Sequence, residues 1–126
     1  MTGRTVLVVD DDPIILEVVR GLLTEAGYNV LLRDQALGTA ELIAREQPDF
    51  VLLDVMMPGL SGDRLAAILK RHALTSRVRI ILHSSKEHSD LQRIVRETGV
   101  LGAIEKTGDG GRFLRDFARL VEHASI

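Results

Sequence analysis

The segment Phe50-Val51-Leu52-Leu53-Asp54-Val55-Met56-Met57-Pro58-Gly59 restricts the fold more than any other stretch of this 126-residue chain. Four apolar side chains in a row end in one carboxylate, and Pro-Gly turns the chain soon afterwards. A short apolar run bounded by turn signals reads as a strand buried on both faces, as in a parallel sheet. Its last residue, Asp54, then stands at the carboxyl edge of the sheet, where open α/β folds form their ligand crevice. Val6-Leu7-Val8-Val9 ends in the same way, in Asp10-Asp11-Asp12. If the two strands are neighbours, several acids share one pocket. Carboxylates that close repel, and a cation is the usual reason to keep them together.

The rest of the chain divides into five strand-helix units. Arg4 to Asp10 forms the first strand, and Asp12-Pro13 opens a helix with Pro in the first turn, where its missing N–H costs nothing. Ile15, Val18, Val19, Leu22 and Leu23 give that helix an inward face, and Gly27 stops it. Tyr28 to Leu32 is the second strand, and Leu37 to Glu46 a helix with Ala40, Ile43 and Ala44 inward. After the third strand, from Phe50, Ser61-Gly62-Asp63 starts a helix with Leu65, Ile68 and Leu69 inward. Val78 to His83 is the fourth strand, and Ser84 to His88 a polar loop. Ser89-x-x-Gln92 resembles a capping box for a short fourth helix. Val100 to Glu105 is the fifth strand. Gly108-Asp109-Gly110-Gly111 forms a flexible connection to a last helix that buries Phe113, Leu114, Phe117, Leu120 and Val121. Strict alternation with short loops implies right-handed crossovers and a parallel sheet with helices on both faces, in one domain over residues 1–126.

Composition narrows the function. Without cysteine there are no disulfides and no thiolate metal sites, which fits a cytoplasmic protein. No apolar stretch approaches the roughly 20 residues of a membrane span, and no signal peptide precedes the first strand. Three Phe, one Tyr and no Trp offer no stacking platform for nucleic acid. Residues 1–60 carry 4 basic and 10 acidic side chains and residues 61–126 carry 12 and 8, an acidic half beside a basic one.

At the carboxyl ends of the strands stand Asp10 and Asp11, Asp54, Ser84 and Lys106. Three acids, a hydroxyl and an ammonium on one edge suit phosphoryl transfer. Mg²⁺ takes one or two carboxylates plus phosphate oxygens, a further carboxylate can attack phosphorus, and a hydroxyl and a Lys can hold the remaining oxygens. His72, His83, His88 and His123 form no ligand pattern and are taken as structural or surface residues. Asp12 is expected to serve only as a helix cap.

VLVVDDDP, VLLDVMMPGLSG, IILHSS and AIEK stand in the order and at the approximate spacings of one family. Ser84 lies 30 positions and Lys106 lies 52 positions beyond Asp54. The chain resembles, over essentially its whole length, the receiver domain of two-component response regulators, in the stand-alone form of the chemotaxis regulators. The resemblance implies a flavodoxin-like, doubly wound α/β fold whose five-stranded parallel sheet runs 2-1-3-4-5, with five helices. It implies a single-domain regulator whose Asp54 accepts a phosphoryl group from a histidine kinase or histidine phosphotransfer protein. Asp11, Asp54 and the Met56 backbone carbonyl would bind Mg²⁺, with Asp10 acting mostly through water. Ser84 would hydrogen-bond the phosphoryl group and Lys106 would pair with it. The domain would catalyse only its own phosphorylation and dephosphorylation. It would signal through contacts with a downstream protein, with dimerisation on phosphorylation, and without touching nucleic acid or membrane.

The sequence departs from that family at two places. Ala103 stands where an aromatic residue is usual, and a methyl group cannot swing between two packed states. Thr107 follows Lys106 where a Pro in a cis peptide is common, and a non-proline cis bond costs about 2.5–4 kcal/mol, so a trans bond is expected. The docking surface is expected on the fourth helix, fifth strand and fifth helix, where Arg93, Arg96, Arg112, Arg115 and Arg119 cluster. Two other readings stand beside this one. The first is an interaction module of the same fold that is never phosphorylated. The second is a haloacid-dehalogenase-type phosphatase with Asp10 as nucleophile, which the Val6–Asp12 stretch also resembles; it leaves the Asp54 motif unexplained.

Overall fold

The computed structural model of the chain describes residues 3–57, 62–71 and 77–124. Strands and helices alternate throughout: β1 (Thr5–Val9), α1 (Pro13–Glu25), β2 (Asn29–Arg33), α2 (Thr39–Glu46), β3 (Phe50–Asp54), α3 (Gly62–Arg71), β4 (Arg79–Ser84), α4 (His88–Thr98), β5 (Gly102–Glu105) and α5 (Gly110–Ala124). Every strand pairing is parallel, and the order across the sheet is β2-β1-β3-β4-β5. This is the doubly wound arrangement expected from the sequence.

All five residues of β3 are buried, because helices cover both faces of the sheet. Period-two alternation sorts the core into two layers. Leu7, Val9, Val51, Leu53, Ile80 and Leu82 pack with Ile43 of α2, Leu65 and Leu69 of α3, and Leu91 and Ile94 of α4. Val6, Val8, Phe50, Leu52, Ile81 and Ile104 pack on the other face with Leu16, Val19 and Leu23 of α1 and Phe113, Phe117 and Val121 of α5. Phe117 anchors that second layer edge-on to Tyr28 (ring centroids 5.3 Å apart) and to Phe50 (6.1 Å). Each such fully buried side chain contributes roughly 1.5–3 kcal/mol of transfer free energy.

The helix ends follow capping chemistry. Asp12 accepts the Ile14 N–H at 2.9 Å, and Pro13 occupies the first turn. Past the end of α1, Gly27 turns the chain at φ 98°, and Gly99 closes α4 at φ 72° while donating its N–H to the Val95 carbonyl.

Several expectations need correction. In α1, Val18 is 53% exposed and Leu16 is buried in its place; in α3, Ile68 is 46% exposed and Ala66 packs inward. Both helices carry more apolar residues than one face can hold, so the outermost stay in solvent. The capping box at Ser89 does not form: α4 already starts at His88, and its N-cap Glu87 makes no side-chain cap bond. Gly110 and Gly111 are the first turn of α5, not a connection, and Asp109 accepts the Arg112 N–H at 3.1 Å. Strand limits move by one or two residues: β1 is Thr5–Val9, β2 ends at Arg33, β4 includes Ser84, and β5 begins at Gly102. Similarly, α2 begins at Thr39 instead of Leu37. The Pro58-Gly59 turn, the Ser61 helix start and His72 lie outside the described residues. No cis peptide bond occurs among the described residues, Lys106–Thr107 included.

Candidate functional site

The parallel register assembles the site. Val9 stands opposite Leu53, so β1 and β3 deliver Asp10 and Asp54 side by side at the carboxyl edge. Ser84 stands opposite Glu105, and the Lys106 backbone N–H donates to the Ser84 carbonyl at 2.7 Å, which fixes the point where Lys106 leaves the sheet. Its ammonium reaches across the edge to Asp10 Oδ2 at 2.7 Å and lies 3.4 Å from Asp54 Oδ1. One carboxylate oxygen from each of Asp10, Asp11 and Asp54 falls within 4.8 Å of the others. Backbone donors hold two of these groups: Asp12 N–H donates to Asp10 Oδ1 at 2.9 Å, and Met56 N–H to Asp54 Oδ1 at 3.1 Å. Asp10 and Asp54 are buried, whereas Asp11 is exposed at the mouth.

The electrostatics follow from that placement. Burial raises the Asp54 carboxyl above its ordinary value, and the Asp10 carboxylate pushes it further in the same direction. The Met56 N–H and the Lys106 ammonium oppose the rise without cancelling it. Two buried carboxylates therefore share one ammonium, with the Asp11 carboxylate close by, and among the described residues the pocket is short of positive charge. A cluster of carboxylate oxygens is the donor set of a hard divalent cation, so the residues fit Mg²⁺ by the chemistry of their donors.

The remaining candidates are placed differently. Ser84 is fully buried at the end of β4, with its Oγ accepting the Lys86 N–H at 3.2 Å, and among the described residues its hydroxyl makes no hydrogen bond to the side chain of Asp54 or Lys106. Asp12 caps α1, as expected. Met56 is exposed, and its N–H is its link to the site.

One neighbour escaped the sequence reading. His83 stands opposite Asp54 in the β3–β4 register, is 5% exposed, and lies beside Phe113 with ring centroids 5.3 Å apart. Burial, aided by the Lys106 ammonium, lowers its pKa to about 4, so the ring is neutral at pH 7. Strand alternation held the signal: His83 shares the parity of Ile81, which faces α1 and α5.

Beyond the sheet edge, α4, β5 and α5 enclose an open groove of about 540 Å³, with Gly102 and Ala103 in its floor and Arg112, Arg115 and Arg119 along one side. Arg93 instead lies toward Asp90 and Glu97 on α4.

Residues 6–117 match the response regulator receiver domain. The chain belongs to that family. The receiver is 40% identical over 90 residues to the phosphate regulon transcriptional regulatory protein PhoB of Pseudomonas aeruginosa, a match covering 71% of this chain and 39% of that protein. It is 28% identical over 110 residues to the sporulation initiation phosphotransferase F of Bacillus subtilis, covering 86% of each. Among solved structures, the chemotaxis protein CheY4 of Vibrio cholerae superposes with a TM-score of 0.85 at 20% identity, over 94% of this receiver and 99% of that chain. That likeness supports the fold. Membership in the receiver family sets aside the phosphatase reading that required Asp10 as nucleophile. No helix among the described residues is long and apolar enough to cross a membrane.

Proposed function

We propose that this receiver works as a single-domain response regulator in a two-component phosphorelay, accepting a phosphoryl group on Asp54. The observation that carries the reading is the meeting of Asp10, Asp11, Asp54 and Lys106 at one edge, drawn from three different strands. Asp54 is the reactive acid. Of the buried pair, it is the one whose oxygen is left further from the ammonium, at 3.4 Å against 2.7 Å for Asp10.

An Asp54 oxygen attacks the phosphorus of a phosphohistidine, the P–N bond breaks, and the leaving imidazole takes up a proton. Lys106 pairs with the charge gathering on the phosphoryl oxygens, and the Ser84 hydroxyl offers them a hydrogen bond. Asp10, Asp11, Asp54 and the Met56 carbonyl would hold Mg²⁺, which when bound supplies the positive charge that phosphoryl oxygens require. The donor is a histidine kinase or a histidine phosphotransfer protein. The chemistry stays on the receiver's own Asp54, and output passes through protein contacts to a downstream partner, with dimerisation of the phosphorylated form as one route. A cytoplasmic location fits such a donor.

Incubation with acetyl phosphate and Mg²⁺ tests the reading by intact-protein mass spectrometry. The wild type gains one phosphoryl group and Asp54→Asn gains none. No mass change in the wild type would favour the unphosphorylated interaction module, and uptake by Asp54→Asn would move the acceptor elsewhere.

A further inference from the structure

Val55, Met56 and Met57 follow the proposed phosphoryl acceptor directly, and they are placed unequally. Val55 is 3% and Met57 6% exposed, both in the core layer that holds Leu65 and Leu91. Met56 is 59% exposed. Its main chain stays at the site, because its N–H donates to Asp54 Oδ1 at 3.1 Å. An exposed thioether therefore hangs from a backbone tied to the acid pocket. The proposed phosphoryl chemistry uses the N–H and the carbonyl of Met56 and gives its sulfur no task. The chain has no cysteine, so a two-electron oxidant finds its softest targets in methionine. Among the described residues Met56 is the exposed one.

We propose that Met56 is a site of reversible oxidation by hydrogen peroxide, and that its sulfoxide shortens the life of the phosphoryl group on Asp54. The inference rests on phosphoryl uptake by Asp54 as proposed above. In the step itself a sulfur lone pair attacks one peroxide oxygen, an S–O bond forms and the O–O bond breaks. Sulfur gives up two electrons, and the departing hydroxide takes the proton of the transferred oxygen and leaves as water. The product carries a polar hydrogen-bond acceptor where an apolar thioether stood. A thioether at the mouth of the pocket offers an approaching water little to bind. A sulfoxide oxygen rooted two residues from Asp54 accepts a hydrogen bond from that water and orients it toward the phosphorus. The sulfoxide is uncharged, so it adds no repulsion to the carboxylates of Asp10, Asp11 and Asp54.

Dilute hydrogen peroxide followed by fragmentation mass spectrometry reads the site, and loss of phosphate from chain charged with acetyl phosphate and Mg²⁺ reads the consequence. Met56 is expected to gain one oxygen about tenfold faster than Met57, in line with their exposures. Oxidised chain is expected to lose its phosphoryl group roughly threefold to tenfold faster than untreated chain, the scale of one hydrogen bond. Methionine sulfoxide reductases A and B, one for each epimer, return the original rate. In Met56→Leu, peroxide leaves the rate where that variant had it before treatment. Equal oxidation of Met56 and Met57 overturns the site. An unchanged or slower loss of phosphate overturns the consequence, as does an acceleration that reduction leaves in place or that Met56→Leu shares. A chain that takes up no phosphate before treatment overturns the phosphoryl reading and this one with it, whereas an unchanged lifetime after treatment overturns this one alone.

Discussion

Lys106 and Asp10 stand 96 positions apart in the chain, yet their ammonium and carboxylate meet at 2.7 Å. The same ammonium lies 3.4 Å from Asp54. One lysine therefore holds together two buried acids that would otherwise repel each other.

Replacing Lys106 by Met should leave those two carboxylates without a counter-charge. Removing one partner of a buried ion pair strands the other, and we expect a loss of about 2–4 kcal/mol in metal-free buffer. Mg²⁺ at millimolar concentration would bind the folded form of the variant and return much of that loss by mass action. Urea unfolding with and without Mg²⁺ measures both effects; a variant as stable as the wild type in metal-free buffer would contradict the pairing.

Asp54→Asn is expected to raise stability in the absence of metal while ending phosphoryl uptake. Burial and Asp10 raise the folded-state pKa of Asp54, so the folded chain binds a proton more tightly there than the unfolded chain does. Stability from this group is therefore present below the ordinary carboxylate pKa and is lost as pH rises through the raised value. Above the raised value the penalty is complete, and an amide removes it. A lower melting temperature for the variant in EDTA would show that the Lys106 contact outweighs the penalty.

His83 acts in the opposite sense. Its folded-state pKa of about 4 lies below the ordinary 6.5, so between those values the unfolded chain takes up a proton that the folded chain refuses. The contribution is complete above about pH 6.5 and disappears toward pH 4, on the order of 3 kcal/mol in all. The difference in unfolding free energy between wild type and His83→Leu should be level above pH 7 and shift by that amount on acidification. Direct NMR titration of a ring that protonates near pH 6.5 would refute the placement.

Asp12 separates capping from chemistry. Its Oδ1 serves the Ile14 N–H at 2.9 Å and it is absent from the acidic cluster. Asp12→Ala should cost about 1 kcal/mol of stability and leave acetyl-phosphate uptake unchanged. A collapse of uptake would place Asp12 among the working acids.

The sheet and its acid edge were legible because apolar runs at Val6–Val9 and Phe50–Leu53 admit little besides buried parallel strands, and each ends in a carboxylate. The strand order was legible only through the family resemblance, since alternation alone does not say which strands are neighbours. Helix facing was harder. In α1, Ile14, Ile15, Leu16, Val18, Val19, Leu22 and Leu23 wrap well beyond one face, leaving no polar contrast to fix the phase; Leu16 turned inward and Val18 outward. The α4 start was misplaced because the Ser89 pattern fell inside a helix that begins one residue earlier without a side-chain cap. His83 went unrecognised because a histidine in an apolar strand resembles a core residue, and its closeness to Asp54 depends on a cross-strand register that no local pattern reveals.

The floor of the α4–β5–α5 groove is made of Gly102 and Ala103, and a Cβ on Gly102 would come within 2.5 Å of Leu120 Cδ2. This face therefore holds no aromatic side chain on β5 that could change its rotamer. A displacement of main chain has a direct route from the acid pocket on this side, through the 2.7 Å link between Lys106 and the Ser84 carbonyl that ties the end of β4 to the end of β5. A downstream partner would then sense how two neighbouring strand ends are spaced, not where a ring points.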